Sequence, residues 1–332
     1  MKALLSKTIG GPENLVVDEV PDPVPEGDEV LIAVKACGVN FPDTLIIEDN
    51  YQFKPARPFS PGGEVAGIVA EIGANVSGIR VGDRVFGWCI WGGMAEKVAI
   101  KAARCVPIPD AMPFDEASAF IMTYGTSYYA LKERGHLRQG ETLLVLGAAG
   151  GVGLAAVELG KAMGAQVVAA VSSDDKLAFA IRHGANGGVV YPRGPFDKAA
   201  LKSLSGLFKQ ACPAGGADVI YDAVGGDYAE AALRSIAWEG RFLVVGFPAG
   251  VPRIPLNLPL LKSCQIAGVF WGAWIDRDPA GFQASARELL EFYRQGAIKP
   301  VISGRYPLKN GGEAIASLAA RTAMGKMVVT LE

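Results

Sequence analysis

The sequence predicts an α/β fold in which a β-rich first part is followed by a doubly wound parallel sheet. The first third consists of short apolar runs separated by Pro and Gly clusters such as "PDPVPEGD", a pattern typical of antiparallel strands. Near residue 141 the pattern changes, and apolar strands begin to alternate with helical stretches. Six such strands joined by helical crossovers predict a parallel sheet that helices cover on both faces.

The predicted elements follow in chain order. The strands of the first part are "KALLS", "LVVDEV", "EVLIAVKACGV", "VAGIVAEIG" and "RVFGW". Those of the parallel sheet are "TLLVLG", "QVVAAVS", "GGVVY", "ADVIYDA", "RFLVVGF" and "QIAGVF", with helices that start near Gly151, Ser173, Phe196 and Asp227. A last long helix, "PAGFQASARELLEFYRQG", is predicted with Asp278 as its N-cap and Pro279 as its first residue.

Composition limits the class of protein. The 332 residues are 50% hydrophobic and 20% charged, which is enough for more than one core, and we expect two domains. A net charge of −2 without a basic stripe or an apolar span argues against nucleic acid and membrane partners, and a cytoplasmic location is expected. The five cysteines form no C-x-x-C pair, which argues against a disulfide framework and a structural zinc lobe.

The segment "LLVLGAAGGVGLAAV" places glycines where the first predicted strand of the parallel sheet turns into a helix. The pattern is A-x-G-x-x-G, a variant of the fingerprint that binds a dinucleotide through its pyrophosphate. A tight strand-to-helix crossing can also demand glycine for steric reasons alone. We predict that the turn binds a dinucleotide through Ala148, Gly150, Gly151, Val152 and Gly153.

The end of the second strand of this sheet indicates which dinucleotide binds. An NAD site carries an acidic residue there, whereas this chain has Ser172, which leaves room for a 2′-phosphate. Lys176, Tyr191 and Arg193 could supply charge and an aromatic ring for the adenosine end, so NADPH is predicted over NADH. The neighbouring aspartates at 174 and 175 would repel a phosphate, unless Ser173 caps the next helix and they lie in its first turn.

Several further motifs make a family resemblance visible. The chain resembles the medium-chain dehydrogenase/reductase superfamily, and within it the zinc-free NADPH:quinone oxidoreductases, the zeta-crystallin-like branch, nearly from end to end. The motifs are "GVNFPDTL", "Y-x-x-x-P-x-x-PFSPGGEVAG", "GDRVFG", "AAGGVG", "YDAVGG", "PLLKSCQIAGVFWG" and "GKMVVTL".

The resemblance implies a GroES-like catalytic domain, residues 1–118 completed by 271–332, and a Rossmann NADPH-binding domain, residues 119–270, with the ligand cleft between them. It also implies a homodimer through the exposed last strand of the Rossmann sheet, "SCQIAGVF".

The resemblance further implies that no metal takes part. The positions that carry zinc ligands in zinc-dependent members are here Asn40, Gly63 and Met122, none of which is a good zinc ligand. Without a Lewis acid, the expected hydride acceptors are quinones or activated enones, because their developing charge is delocalised.

The family's functional positions suggest roles for individual residues. Asn40 and Tyr51 are expected to hydrogen-bond the substrate oxygen, and Asp43 either belongs to the active site or serves the loop backbone. Glu64 is interpreted as a buried structural carboxylate, and Asp222 as the residue that ties down a loop beside the cofactor. The positions expected on the cofactor side are Thr126, Gly246, Phe247 and Lys326, of which Lys326 could instead be a solvated lysine.

Two other functions stay open. Related zinc-free members reduce enoyl-coenzyme A thioesters such as acrylyl- or crotonyl-coenzyme A, for which Lys54 and Arg57 could bind the coenzyme phosphates. The chain could also be a non-catalytic NADPH-binding or sensor protein, although the polar pair Asn40 and Tyr51 argues for turnover.

Overall fold

The computed structural model describes residues 1–320 and 324–331 and confirms the predicted α/β class. It contains two compact units. Unit 1 comprises Met1–Met122, Asp278–Leu290 and the chain from Lys299 on, and unit 2 comprises Thr123–Arg277 and Glu291–Ile298. The predicted domain boundaries, 118/119 and 270/271, lie a few residues before two of these divisions and stay predictions.

The described residues form fifteen strands. They are β1 (Lys2–Ser6), β2 (Leu15–Glu19), β3 (Glu29–Gly38), β4 (Glu64–Ile72), β5 (Arg84–Trp88), β6 (Lys97–Lys101), β7 (Cys105–Pro107), β8 (Thr142–Leu146), β9 (Gln166–Val171), β10 (Gly187–Val190), β11 (Ala217–Asp222), β12 (Ile236–Val244), β13 (Gln265–Gly268), β14 (Ile302–Pro307) and β15 (Lys326–Thr330).

Eleven α-helices lie between these strands in the part of the chain that the structure describes. They are α1 (Phe41–Ile46), α2 (Phe114–Ala117), α3 (Ile121–Tyr128), α4 (Gly151–Ala162), α5 (Asp174–Arg182), α6 (Lys198–Ala211), α7 (Gly226–Leu233), α8 (Asn257–Lys262), α9 (Trp271–Arg277), α10 (Pro279–Arg294) and α11 (Gly311–Ala319). A π-helical turn, Tyr129–Arg134, continues α3. None of the described helices combines the length and the apolar composition that crossing a membrane requires.

Unit 1 is built around β3, in which seven of the ten residues are buried. Its sheet has the order β14-β15-β3-β4-β5-β7, and β6 also pairs with β3. The antiparallel register places Gly38, the last residue of β3, opposite both Glu64 of β4 and Val328 of β15. The end of β3 therefore meets the beginnings of β4 and β15, where the sequence carries polar residues.

Unit 2 contains the predicted parallel sheet, in the order β10-β9-β8-β11-β12-β13. All its pairings are parallel, and the six strands lie where the sequence predicted them. The strand order reverses between β8 and β11, so the carboxyl ends of these strands form the switch point where open α/β sheets bind ligands. The turn from β8 into α4 lies at this point.

The predicted helix caps are confirmed. Ser173 Oγ accepts a hydrogen bond from the Lys176 backbone N–H at 3.4 Å, so the first turn of α5 holds the two aspartates at 174 and 175, both exposed. Asp278 Oδ1 likewise accepts from the Gly281 N–H at 2.9 Å at the start of α10. Each cap satisfies a backbone donor that the first helical turn leaves unpaired.

Candidate active site

Steric demand accounts for Gly153 in the turn between β8 and α4. A Cβ atom on Gly153 would lie 2.1 Å from the carbonyl oxygen of Gly147, so the first turn of α4 can approach the end of β8 only without a side chain. Gly147 itself has a φ of +72°, a backbone conformation that glycine adopts without strain. These two glycines are therefore required by the fold.

Steric demand does not account for Gly150. It is exposed, and a Cβ atom there would meet Gly147 O at 3.5 Å, an ordinary contact. Gly150 is the N-cap of α4 and offers no side-chain cap, and the first turn of the helix carries no acidic residue. The N–H groups that follow, at 151 to 153, lack partners within the helix and carry the positive end of its dipole. This bare helix start fits the pyrophosphate of a dinucleotide.

Two cations lie close together near the end of β9. Burial lowers the pKa of Lys176, and the charge of Arg193 lowers it further, so the two side chains are within electrostatic reach of each other. Ser172, directly after β9, is half-buried and brings no acidic group. A 2′-phosphate bound beside both side chains would offset their mutual repulsion.

Tyr191 lies deeper than the sequence suggested. Its ring is 7% exposed and packs against Tyr228 and Phe208, with centroid distances of 4.9 and 6.1 Å. Burial raises the pKa of the Tyr191 hydroxyl, which therefore stays protonated. Stacking on an adenosine would need a ring face that this packing covers, so a hydrogen bond from the hydroxyl is the contact that remains.

Asp222 ties together the loops at the carboxyl ends of β11 and β12, as the sequence suggested. Its Oδ1 accepts hydrogen bonds from the N–H groups of Val224 and Gly225, both at 2.9 Å, and its backbone carbonyl accepts from Val245 and Gly246. Its buried Oδ2 has no hydrogen-bond partner among the described residues. Phe247, in the loop that follows β12, is 42% exposed. Thr126, on α3, is half-buried.

In unit 1, Asp43 serves the backbone of the loop that joins β3 to α1. Its two carboxylate oxygens accept hydrogen bonds from the N–H groups of Asn40, at 2.7 Å, and Gly62, at 3.0 Å. The side chain is 1% exposed, and burial raises its pKa to about 6. Of the two predicted roles, the geometry supports the loop-backbone role directly.

A buried ion pair lies beside this loop. Lys326 Nζ is 2.6 Å from Glu64 Oε1, and it also donates to Asn40 Oδ1 at 2.6 Å and to the carbonyl of Val39 at 3.0 Å. Glu64 is fully buried, as the sequence suggested, and Lys326 is 5% exposed, so the solvated alternative for Lys326 is wrong. All three hydrogens of the ammonium group are engaged, so no hydrogen remains for the predicted contact with a cofactor.

Sequence reasoning did not connect these residues. The available signal was one charged residue in each of two short, otherwise apolar segments, "GEVAG" and "GKMVV". Buried charges of opposite sign must find each other or another partner. That rule could have paired Glu64 with Lys326, although no spacing along the chain shows it.

Tyr51 differs from this network because its hydroxyl makes no hydrogen bond to another described residue. The side chain is half-buried against the core of unit 1. Burial, with a contribution from the negative charge of Asp43, raises the pKa of Tyr51 to about 12. Tyr51 therefore offers a neutral hydrogen-bond donor within electrostatic reach of Asp43.

Comparison with known proteins places the chain among oxidoreductases. The family model "Alcohol dehydrogenase GroES-like domain" matches residues 26–110, and "Zinc-binding dehydrogenase" matches residues 151–292. The chain is 38% identical to quinone oxidoreductase-like protein 2 of Bos taurus, over 96% of this chain and 89% of that protein. It is 32% identical to quinone oxidoreductase of Rattus norvegicus, over 100% of this chain and 98% of that protein.

Solved structures share the whole fold. Escherichia coli quinone oxidoreductase complexed with NADPH has a TM-score of 0.88 at 28% identity, over 100% of both chains. A mycobacterial protein complexed with NADPH has a TM-score of 0.92 at 29% identity, again over 100% of both chains.

The residues present do not fit the zinc that the second family model's description implies. At the positions that the resemblance assigns to zinc ligands, Asn40, Gly63 and Met122 offer an amide, no side chain and a thioether, whereas zinc takes thiolate, imidazole and carboxylate ligands. Within residues 1–320 and 324–331, no group of three or more His, Cys, Asp or Glu could hold a metal ion.

The two glycines of the turn are expected to respond differently to alanine. Gly153→Ala places a methyl group against the Gly147 carbonyl and should lower the free energy of unfolding by about 1–3 kcal/mol. Gly150→Ala should leave unfolding nearly unchanged but weaken binding of NADPH, the predicted dinucleotide, about tenfold, since its methyl group occupies the ligand's space. Urea unfolding and fluorescence titration measure the two effects. Equal loss of stability in both variants would contradict the distinction.

Asp43 should make stability depend on pH. Its pKa is about 6 in the folded protein, against 3.8 for an unperturbed aspartate, so between these values the folded state holds a proton that the unfolded chain has released. The free energy of unfolding should therefore fall as pH rises through this window, by about 3 kcal/mol, and level off above it. The isosteric Asp43→Asn variant should lose this component in urea unfolding measured across the window.

Asp18→Asn serves as the control for this measurement. Asp18 is exposed, and its hydrogen bond with Lys7 lowers its pKa, so its contribution to stability runs in the opposite direction with pH. An Asp43→Asn curve parallel to that of the natural protein would contradict proton binding by a buried Asp43.

Proposed function

Because the chain belongs to the quinone oxidoreductase family of the medium-chain dehydrogenase/reductase superfamily, we propose that it transfers hydride from NADPH to a quinone or an activated enone. The observation that carries the proposal is the neutral Tyr51 hydroxyl, which has no hydrogen bond to another described residue and is within electrostatic reach of Asp43. A neutral donor stabilises an oxyanion less than a metal ion does. The acceptor must therefore delocalise the charge it receives, as quinones and α,β-unsaturated carbonyls do.

Residues of unit 2 would hold the cofactor. The start of α4 at Gly150 would bind the pyrophosphate, while Lys176 and Arg193, with the hydroxyls of Ser172 and Tyr191, would bind the 2′-phosphate. Thr126, Gly246 and Phe247 would contact the nicotinamide half, and Phe247 is exposed as such a contact requires. When bound, NADPH supplies the hydride.

Residues of unit 1 would act on the acceptor. Tyr51 would donate a hydrogen bond to the acceptor oxygen as negative charge develops there, and Asn40 would contact the same ligand. Asp43 holds the loop that carries Asn40. The reduced product then takes its proton from water or a nearby hydroxyl, so no covalent nucleophile is needed. Alignment and hydrogen bonding would be the protein's contribution to the rate.

The enoyl-thioester alternative loses one of its two basic candidates. Arg57 is not a free surface charge, since it is 2.8 Å from Asp49 Oδ1, donates to the carbonyl of Ile47 and has a side chain only 16% exposed. Lys54 is exposed, and a single lysine is a weak site for the phosphates of coenzyme A. Quinone or enone reduction is therefore the better supported function.

The proposal is tested by following the oxidation of NADPH in the presence of phenanthrenequinone, with NADH in parallel and with chelator-treated protein. We expect turnover that survives chelation and prefers NADPH. Tyr51→Phe should lower kcat/KM for the quinone about ten- to a hundredfold, the value of a hydrogen bond to a charged group, and leave NADPH binding unchanged.

Lys176→Ala should raise KM for NADPH by a similar factor and leave that for NADH unchanged. Lys209→Ala, at an exposed lysine on α6, is the matched control.

Absence of turnover with quinones but reduction of crotonyl-coenzyme A would favour the enoyl-thioester alternative. NADPH binding without oxidation by either acceptor would favour a binding protein.

We also propose that the protein forms a homodimer through the β13 edge of the unit 2 sheet. Only one side of β13 is paired among the described strands, and large apolar side chains beside it are exposed: Ile266 by 40%, Leu260 by 79% and Leu261 by 65%. An unpaired edge with apolar neighbours favours pairing with a second copy.

Light scattering should give twice the mass of the chain. Leu260→Glu should shift the protein toward monomer, whereas Ile181→Glu, at an exposed residue of α5, should not. A monomer at micromolar concentration would contradict the proposal.

A further inference from the structure

The hydrogen-bonding capacity of the buried pair in unit 1 is fully used. An ammonium group has three hydrogens and no acceptor, and Lys326 faces three acceptors: Glu64 Oε1, Asn40 Oδ1 and the carbonyl of Val39. Glu64 Oε1 also receives Asn40 Nδ2 at 2.9 Å, and Glu64 Oε2 receives the N–H of Met122 at 2.9 Å. Lys326 and Glu64 therefore hold each other in a single arrangement.

The chemistry of these partners fixes which way the Asn40 amide points. Its oxygen faces an ammonium group, which can only donate, and its nitrogen faces a carboxylate, which can only accept. The reverse orientation would set an NH₂ against an NH₃⁺ and an oxygen against a carboxylate. The amide orientation thus follows from its neighbours.

This arrangement leaves Asn40 without a free donor. Its two amide hydrogens go to Glu64 Oε1 and to the carbonyl of Gly38 at 3.2 Å. Its oxygen has two lone pairs, of which Lys326 occupies one. The remaining lone pair of Oδ1 is the only hydrogen-bonding capacity that the side chain can offer to a ligand.

A glycine makes room for the network. A Cβ atom on Gly38 would lie 2.5 Å from Glu64 Oε1 and 2.1 Å from the carbonyl of Ser118, so the carboxylate reaches its position only because β3 ends in glycine. Gly38, Asn40 and the Lys326 pair are thus one packed unit rather than separate contacts.

We propose that Lys326 and Glu64 are positioning residues that hold Asn40 as a hydrogen-bond acceptor, so that this site selects ligands with a hydroxyl donor, while Tyr51 supplies the donor to the acceptor oxygen. The inference rests on the proposed function and refines it: Asn40 recognises the O–H of a reduced phenolic product rather than the carbonyl of the quinone. This changes the role predicted for Asn40 from donor to acceptor.

The test compares two planar ligands that differ in one donor, 9-phenanthrol and 9-methoxyphenanthrene. Calorimetric titration measures their affinities for the natural protein and for its variants, and it requires no turnover. We expect the phenol to bind about tenfold more tightly than the ether, as one hydrogen bond to a fixed acceptor allows. In Glu64→Gln/Lys326→Met, which removes both charges and leaves neither buried alone, the ratio should fall to about one.

Lys326→Met alone supplies a second readout. The positive charge of Lys326 lowers the pKa of Asp43, so its removal should move the pH dependence of stability, or of kcat where turnover is present, to higher pH. A purely structural role would lower stability without moving the ratio of the two affinities. Lys101→Met, at an exposed lysine near Asp28, is the control for the substitution.

The outcomes separate this inference from the proposed function. A phenol-to-ether ratio near one in the natural protein, or a ratio unchanged in the double variant, overturns the inference even where quinones are reduced. A large ratio that disappears in the double variant supports it even where no quinone is turned over.

Discussion

The buried ion pair between Lys326 and Glu64 is the interaction on which the candidate active site of unit 1 depends. Removing two charges from water costs several kcal/mol for each, and their attraction offsets this only when the remaining hydrogen bonds are also made. Here every ammonium hydrogen and both carboxylate oxygens have partners. The pair joins the starts of β4 and β15 to the end of β3. Any change to one charge therefore reaches Asn40.

The candidate cofactor site of unit 2 depends on a different constraint, the absence of side chains. Gly153 is needed for the close approach of α4 to β8, whereas Gly150 leaves its surface open to a ligand. Such a site can bind an anion without a charged side chain, because its donors are backbone N–H groups at a helix start. In the proposed site, Lys176 and Arg193 supply the positive charge that would discriminate between the two dinucleotides.

Local patterns in the sequence predicted much of this structure. Apolar runs bounded by glycine and proline gave the strands of the parallel sheet, and a serine followed by two aspartates gave the cap of α5. The Lys326 pair could not be found in the same way, because its residues are 262 positions apart and only the register of β15, β3 and β4 brings them together. The burial of Tyr191 was not visible in the sequence for a related reason, since it follows from packing by α6 and α7, which lie after it in the chain.

The distribution of donors around Asn40 and Tyr51 fits the proposed reduction of quinones or enones without a metal. A buried network that uses all its hydrogens internally gains stability but cannot also polarise a carbonyl. Tyr51 lies outside the network and keeps its hydroxyl hydrogen, because burial and the nearby Asp43 disfavour its ionisation. A single neutral donor is adequate for an acceptor whose conjugated system carries most of the charge. It is inadequate for a simple ketone, whose alkoxide concentrates that charge on one oxygen.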